Sequence, residues 1–281
     1  GKVAEIAALE FGEPCHIKTG DELQSLGNDV NRLGDKLKSA LDTLRLQNEQ
    51  LEKDIIVQRQ FISNASHELR TPLSLIKGYA DEMTAGYAKD TQKDMYISII
   101  AEEAGKMSRL LREMLELSRM ESGRIQMQSE TLSVPERIQI FLEKYDGYIA
   151  ENDLDISVES GDDIKGYFDP MYFEQVLANY ISNAARYGDE RKRIVISTED
   201  RGDSVRISVF NTGKPIGEET LPRLWDGFYK ADVARTRIGD SYGLGLSIVK
   251  AIQIAAGQAY GVRNVPDGVE FWFDVQRPIK I

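Results

Sequence analysis

From Asp21 onward the apolar residues fall at alternating steps of three and four: Leu23, Leu26, Val30, Leu33, Leu37, Ala40 and Leu44. Gln47 interrupts the stripe and Leu51 resumes it, with charged residues on both flanks. A sustained heptad seam of this kind predicts a parallel coiled coil. The seam runs on through Ile55, Gln58, Ile62, Ala65, Leu69, Leu73, Ile76, Ala80 and Met83. Two successive four-residue steps between Gln47 and Ile55 make a stutter that locally unwinds the supercoil, and a second pair, Ala65–Leu69–Leu73, surrounds Pro72. Upstream, Val3 to Leu9 reads as a short helix ended at Phe11-Gly12, GEPCHIKTG as a connector, and Asp21-Glu22 as an N-cap and first turn.

After a break at TAGYAKD a second long helix is expected from about Gln92 to Ser122, with the stripe Ile97, Ile100, Ala104, Met107, Leu111, Met114 and Leu117. Two such helices cannot close a core alone. Paired with a second copy they form a four-helix bundle, which predicts a homodimer. From Gly123 the texture changes. Strand-like runs (RIQMQ, LDISVES, KRIVISTED, SVRISVFN, QAYGVRN, VEFWFDV) alternate with helical ones (PERIQIFLEKYDGYIA, PMYFEQVLANYISNAARYG, LGLSIVKAIQIAAG). The expectation is an α+β domain whose mixed sheet is covered by helices on one face. A long weakly patterned stretch from Gly213 to Tyr242 reads as either a functional lid or a disordered segment.

Composition narrows the field modestly. Apolar residues make up 41% and charged residues 29% of the 281, so the chain is not disordered as a whole. A net charge of −11 argues against non-specific nucleic-acid binding. The single cysteine, Cys15, excludes internal disulfides and fits a reducing compartment. No run approaches the ~18 apolar residues of a membrane span. The chain opens in the apolar stretch VAEIAAL without a cap, and is read as a fragment whose upstream part is missing.

Candidate chemistry sits first in FISNASHELRTPL, residues 61–73. With Leu69 at the centre of the apolar stripe and about 100° per residue, His67 falls about 160° away, on the solvent side. Thr71 lies one turn later on the same face. An open imidazole flanked by Glu68 suits a nucleophile that two partners must reach, the carboxylate taking or orienting its other proton. In VLANYISNAARYG, Asn179 and Asn183 share a helix face, and their amide oxygens could hold a magnesium ion carrying nucleotide phosphates. Arg186, one turn on, could offer charge to a phosphate. SYGLGLSIVKAI places Gly243 and Gly245 at a helix start, where backbone N–H groups can approach phosphate. VFNTGKPI puts Asn211 and Gly213 at a strand end, positioned to line a flat heterocycle.

Taken in this order, the segments resemble a two-component sensor histidine kinase. FISNASHELRTPL looks like the family's H box, YFEQVLANYISNAARYG its N box, VFNTGKPI a variant G1 box, LWDGFYKAD the F box and SYGLGLSIVKAI the G2 box. The resemblance implies a multidomain chain. Residues 1–37 would be a partial HAMP-like signal relay, 38–60 a coiled-coil linker, 61–122 a dimeric antiparallel four-helix bundle for histidine phosphotransfer, and 123–281 an α+β sandwich ATP-binding domain of GHKL type. It implies ATP and Mg²⁺ as cofactors, His67 as phosphoacceptor, Glu68 as the acid/base, and Thr71 as the residue positioning water for response-regulator dephosphorylation. Asn183, assisted by Asn179, would hold Mg²⁺. Arg186, Tyr187, Asn211, Gly213, Ile216, Phe228, Tyr229, Lys230, Gly243, Leu244, Gly245 and Leu246 would line the nucleotide pocket and its lid. The implied partners are a second copy and a response-regulator receiver domain, and the implied location is the cytoplasmic side of a membrane-anchored protein. Two readings compete: a degenerate ATP-binding scaffold and a GHKL ATPase without phosphotransfer. The family's G1 box usually begins with Asp, where this chain has Asn211, and its second glycine is replaced by Pro215. On the sequence alone, Asn211→Asp would restore a charge-assisted adenine contact and tighten ATP binding by roughly 0.5–1.5 kcal/mol.

Overall fold

The computed structural model describes residues 22–85, 90–121, 126–161, 164–230 and 242–278, together with Glu5, Leu9, Phe11, Glu13 and Gly20. The expected short helix at Val3–Leu9 and the GEPCHIKTG connector lie outside the described residues, apart from those five. The chain divides into two compact units, Gly1–Ser63 and Asn64–Ile281.

In the first unit the seam forms the opening part of helix α1 (Glu22–Thr84). Good helix formers fill it, and Glu22 sits in the first turn where the helix dipole favours an anion. Side-chain pairs one turn apart, Arg32 with Asp29 and Gln50 with Asp54, line its polar face. The seam residues Leu23, Leu26, Leu33, Leu44, Leu51 and Ile55 are exposed in the single chain.

In the second unit α1 continues without a break through Pro72 to Thr84, and α2 (Asp90–Glu121) follows. Tyr79 of α1 and Tyr96 of α2 pack with ring centroids 4.8 Å apart. The stripe on α2 is joined by a buried residue that it does not contain. Leu111 is 46% exposed, whereas its neighbour Leu110 is fully buried, together with Leu117 and Met120. The cause is tertiary: α2 packs against a helix of the α+β domain, which gives it a second apolar line. Tyr96, Leu110 and Leu117 recur at multiples of seven along that line.

Among its described residues the α+β domain has seven strands. β1 (Glu130–Ser133) leads into α3 (Val134–Lys144), capped by Ser133 with Pro135 in the first turn. α4 (Asp146–Glu151) follows after a break at Tyr145. Then come β2 (Asp155–Glu159), β3 (Lys165–Phe168), α5 (Pro170–Tyr187), β4 (Arg193–Asp200) and β5 (Ser204–Thr212). A short 3-10 turn (Leu221–Arg223), α6 (Gly245–Ala256), β6 (Tyr260–Val265) and β7 (Gly268–Gln276) complete the domain. The strand expected at RIQMQ is not there: its described residues 126–128 are irregular and β1 begins at Glu130. β3 was absent from the sequence reading.

The strand order is β1-β3-β7-β5-β4-β2, with β6 also on β7, and only the β2–β4 pair is parallel. α5 and α6 pack on each other, and α5 lies over β5. Tyr180 of α5 is fully buried, stacks against Phe271 and Phe273 of β7, and donates to the Trp272 carbonyl at 3.1 Å. Asp169 caps α5, accepting from the Met171 N–H at 2.9 Å, while its second oxygen accepts from the Gln128 N–H. That fixes where α5 starts, and therefore where Asn179 and Asn183 stand.

Candidate functional site

His67 and Thr71 are exposed on α1 and Pro72 is buried, as the helical phase requires. Glu68 is half-buried, and Lys230 donates to its carboxylate at 2.9 Å across 162 residues of sequence. The structure thus brings the residue beside His67 to Lys230, the last described residue before position 231.

The described residues on either side of 231–241 are joined by a hydrogen bond. Phe228 is buried with φ of 64°, and its N–H donates to the Gly243 carbonyl at 3.0 Å. Gly243 has φ of 74°, and a Cβ there would stand 2.9 Å from the Tyr229 carbonyl, so this position requires glycine. The segment before it is anchored by Trp225, edge-on to Tyr260 at 4.7 Å, and by Arg223 over the Tyr229 ring. Residues 231–241, where a lid was expected, lie outside the described residues.

At the start of α6, Leu244 is buried and caps no N–H with its side chain, which leaves first-turn donors to a ligand. Leu246, one residue into the helix, is half-buried. Gly245 lies directly against α5: a Cβ there would be 2.7 Å from Asn179 Oδ1. Asn179 and Asn183, both half-buried, stand on the face of α5 beside the buried line Phe173, Val176, Leu177, Tyr180, Ile181 and Ala184. Neither carboxamide makes a hydrogen bond among the described residues. Two hard amide oxygens next to uncapped helix N–H groups fit a hydrated magnesium ion carrying phosphates. Arg186 is half-buried in the last turn of α5 and influences Glu113 of α2, whose carboxyl is pushed up by burial and by the neighbouring Glu116. Glu116 accepts from Gln175 of α5 at 3.0 Å.

Asn211 is buried at the end of β5, between Ile194 of β4 and Val269 of β7. Its amide nitrogen donates to the Thr212 carbonyl at 3.1 Å. Gly213 passes close to the Tyr187 carbonyl at the end of α5, and Tyr187 itself is exposed. Ile216 is held by Asn264, which donates to its carbonyl and accepts from its N–H, both at 2.8 Å.

Several residues here escaped the sequence reading. Thr212 donates to Asp189 at 2.7 Å, and Arg191 forks onto Asp189 and Asp267. These contacts hold both carboxyls below the ordinary aspartate range and raise the guanidinium above its usual value. Asn264 and Asp267 offered only the turn signal PDG in the sequence, since their partners lie 48 and 76 residues away.

The two halves of this site belong to two domain classes. Residues 57–123 match the His Kinase A (phospho-acceptor) domain, and residues 168–279 match the histidine kinase-, DNA gyrase B-, and HSP90-like ATPase family. Sensor histidine kinase YclK of Bacillus subtilis is 31% identical over 88% of this chain and 51% of its own length. Sensor protein VanSB of Enterococcus faecalis is 28% identical over 93% of this chain and 59% of its own. The structure of histidine kinase ThkA in complex with response regulator protein TrrA superposes with a TM-score of 0.64 at 25% identity, covering 85% of this chain and 66% of that one. Acinetobacter baumannii histidine kinase AdeS, at 22% identity and a TM-score of 0.62 over 75% of this chain and 98% of that one, shares the fold. The chain belongs to the sensor histidine kinases of two-component systems. It spans about half the length of the first two relatives.

Proposed function

We propose that this chain autophosphorylates on His67 at the expense of ATP and passes the phosphoryl group to an aspartate of a response-regulator receiver domain. The observation that carries the reading is the pairing of Glu68 with Lys230, which anchors the nucleotide domain's loop beside an exposed histidine. Asn183, with Asn179, would hold Mg²⁺, which would supply charge to neutralise the phosphates. The α6 N-terminus with Gly243 and Gly245 receives the phosphates, and Arg186 adds a cation at the edge. The Leu244 and Leu246 backbone contributes donors there, and Tyr187, Ile216, Phe228 and Tyr229 wall the pocket. The unprotonated ring nitrogen of His67 attacks the γ-phosphorus in line. An N–P bond forms, the bond to the bridging β–γ oxygen breaks, and ADP leaves with its electron pair. Glu68 takes the imidazole's other proton. The protein's contribution is mainly position and charge stabilisation.

The exposed apolar seam of α1, together with Leu73 and Ile97, supports a homodimer closed by a four-helix bundle. Among the described residues no helix is long and apolar enough to cross a membrane, and we assign residues 1–37 to a partial HAMP-like relay. Thr71, one turn from His67, suits a second activity, positioning water against a phospho-aspartate.

The test uses label carried from γ-labelled ATP. It should move from the kinase to the receiver aspartate and then be lost as phosphate. Thr71→Ala should keep labelling and transfer near normal while slowing dephosphorylation about 10-fold or more. Equal losses in both activities and in melting temperature would reduce Thr71 to a structural residue.

A further inference from the structure

The G1 strand-end carries an amide where the family's acid usually stands, and its surroundings say which way that amide faces. Asn211 Nδ2 lies 3.1 Å from the Thr212 carbonyl oxygen. A carbonyl only accepts, so the carboxamide must present its NH₂ to Thr212, which turns Oδ1 away from that contact. A carboxylate in the same pose would set two acceptors against each other. The residue is 6% exposed and fixed in the sheet on both sides, which leaves it little freedom to turn elsewhere.

The Thr212 carbonyl is itself pinned. It accepts from the Asp189 N–H at 3.1 Å, while the Thr212 hydroxyl donates to Asp189 Oδ1 at 2.7 Å. Asp189 Oδ2 accepts from Arg191 Nε at 2.8 Å and from Nη2 at 2.6 Å. The remaining face of the guanidinium meets both oxygens of Asp267, whose carbonyl accepts from the Gly213 N–H at 3.2 Å. The chain of contacts therefore ties the end of α5, the end of β5 and the β6–β7 turn around one amide. Arg191 and Asp267 are largely exposed, so the ion pairs add little to stability. A planar fork gripping two carboxylates does fix geometry.

We infer that Arg191 is a positioning residue for base selection: through Asp189 and Thr212 it locks the Asn211 carboxamide with its oxygen toward the nucleotide. The inference rests on the nucleotide-site reading above. The locked oxygen accepts from a 6-amino purine and opposes a 6-oxo purine, whose acceptor would leave two buried oxygens unpaired. It also reverses the expectation from sequence alone. Asp at 211 would lose the Thr212 contact and weaken ATP binding, because the pocket is built around the amide.

Calorimetry on the whole chain with Mg²⁺ and non-hydrolysable ATP and GTP analogues tests this. The wild type should prefer the adenine nucleotide by about 10-fold or more. Arg191→Gln should lower that ratio about 5-fold while the melting temperature stays within a few degrees, since a surface fork is lost but no core residue. Thr212→Val, which removes only the hydroxyl held by Asp189, should lower it likewise and serves if Arg191→Gln does not fold. Asn211→Asp should bind the ATP analogue several-fold more weakly. An unchanged adenine/guanine ratio in both clamp variants, or tighter ATP binding by Asn211→Asp, overturns the inference. Asn211→Ala separates this from failure of the underlying reading. If it leaves ATP affinity untouched, Asn211 does not meet the base and the site assignment fails with it.

Discussion

At the residue scale the proposed nucleotide site sets a short polar side chain against glycine. Asn179 Oδ1 occupies the space a Cβ on Gly245 would need, so the amide and the start of α6 are a fitted pair. Asn183, four residues on, is expected to give Mg²⁺ its protein ligand. Asn183→Ala should therefore reduce ATP affinity at least 10-fold in excess Mg²⁺ and leave any metal-independent binding in chelator unchanged, as titration under both conditions would show. Equal affinity with and without the substitution in Mg²⁺ would remove Asn183 from the site. The polar positions that resemble the family's boxes were readable because each is local: a histidine between helix phases, two asparagines one turn apart, a GLG before a helix. The Arg191 clamp was not, because no periodicity links Asp189 to Asp267 across the sheet.

At the element scale, β1 was expected too early, at RIQMQ, but the long helices and five of the seven described strands were legible from period alone. Each carries several turns of stripe or at least five residues of strand. β3 has only four residues, one of them Gly166, and offers too little alternation to register. The buried Leu110 on α2 was missed because the stripe was phased on the bundle seam, whereas α2 also packs against α6 of the α+β domain. α6 itself carries a cost. Gln253 is fully buried, and neither its amide nitrogen nor its oxygen has a partner among the described residues. An unsatisfied buried amide costs about 1–3 kcal/mol. Gln253→Leu should thus raise stability by about 1 kcal/mol in denaturant unfolding with ATP affinity unchanged. A destabilised variant would mean that the amide is satisfied in solution.

At the scale of the whole molecule, the helical hairpin bearing the proposed phosphoacceptor and the α+β domain meet in the second unit, α1 through Glu68–Lys230 and α2 through Gln175–Glu116 and its packing on α6. That separation of nucleophile from nucleotide pocket makes a sharp demand: each can be removed without the other. The central claim is that His67 receives the γ-phosphoryl group. Incubation of wild type and His67→Gln with γ-labelled ATP, followed by acid and alkali treatment of the denatured protein, reads it directly. The wild type should carry label that acid releases and alkali does not, and His67→Gln should carry none while binding ATP with wild-type affinity. Acid-labile label persisting on His67→Gln would contradict the account.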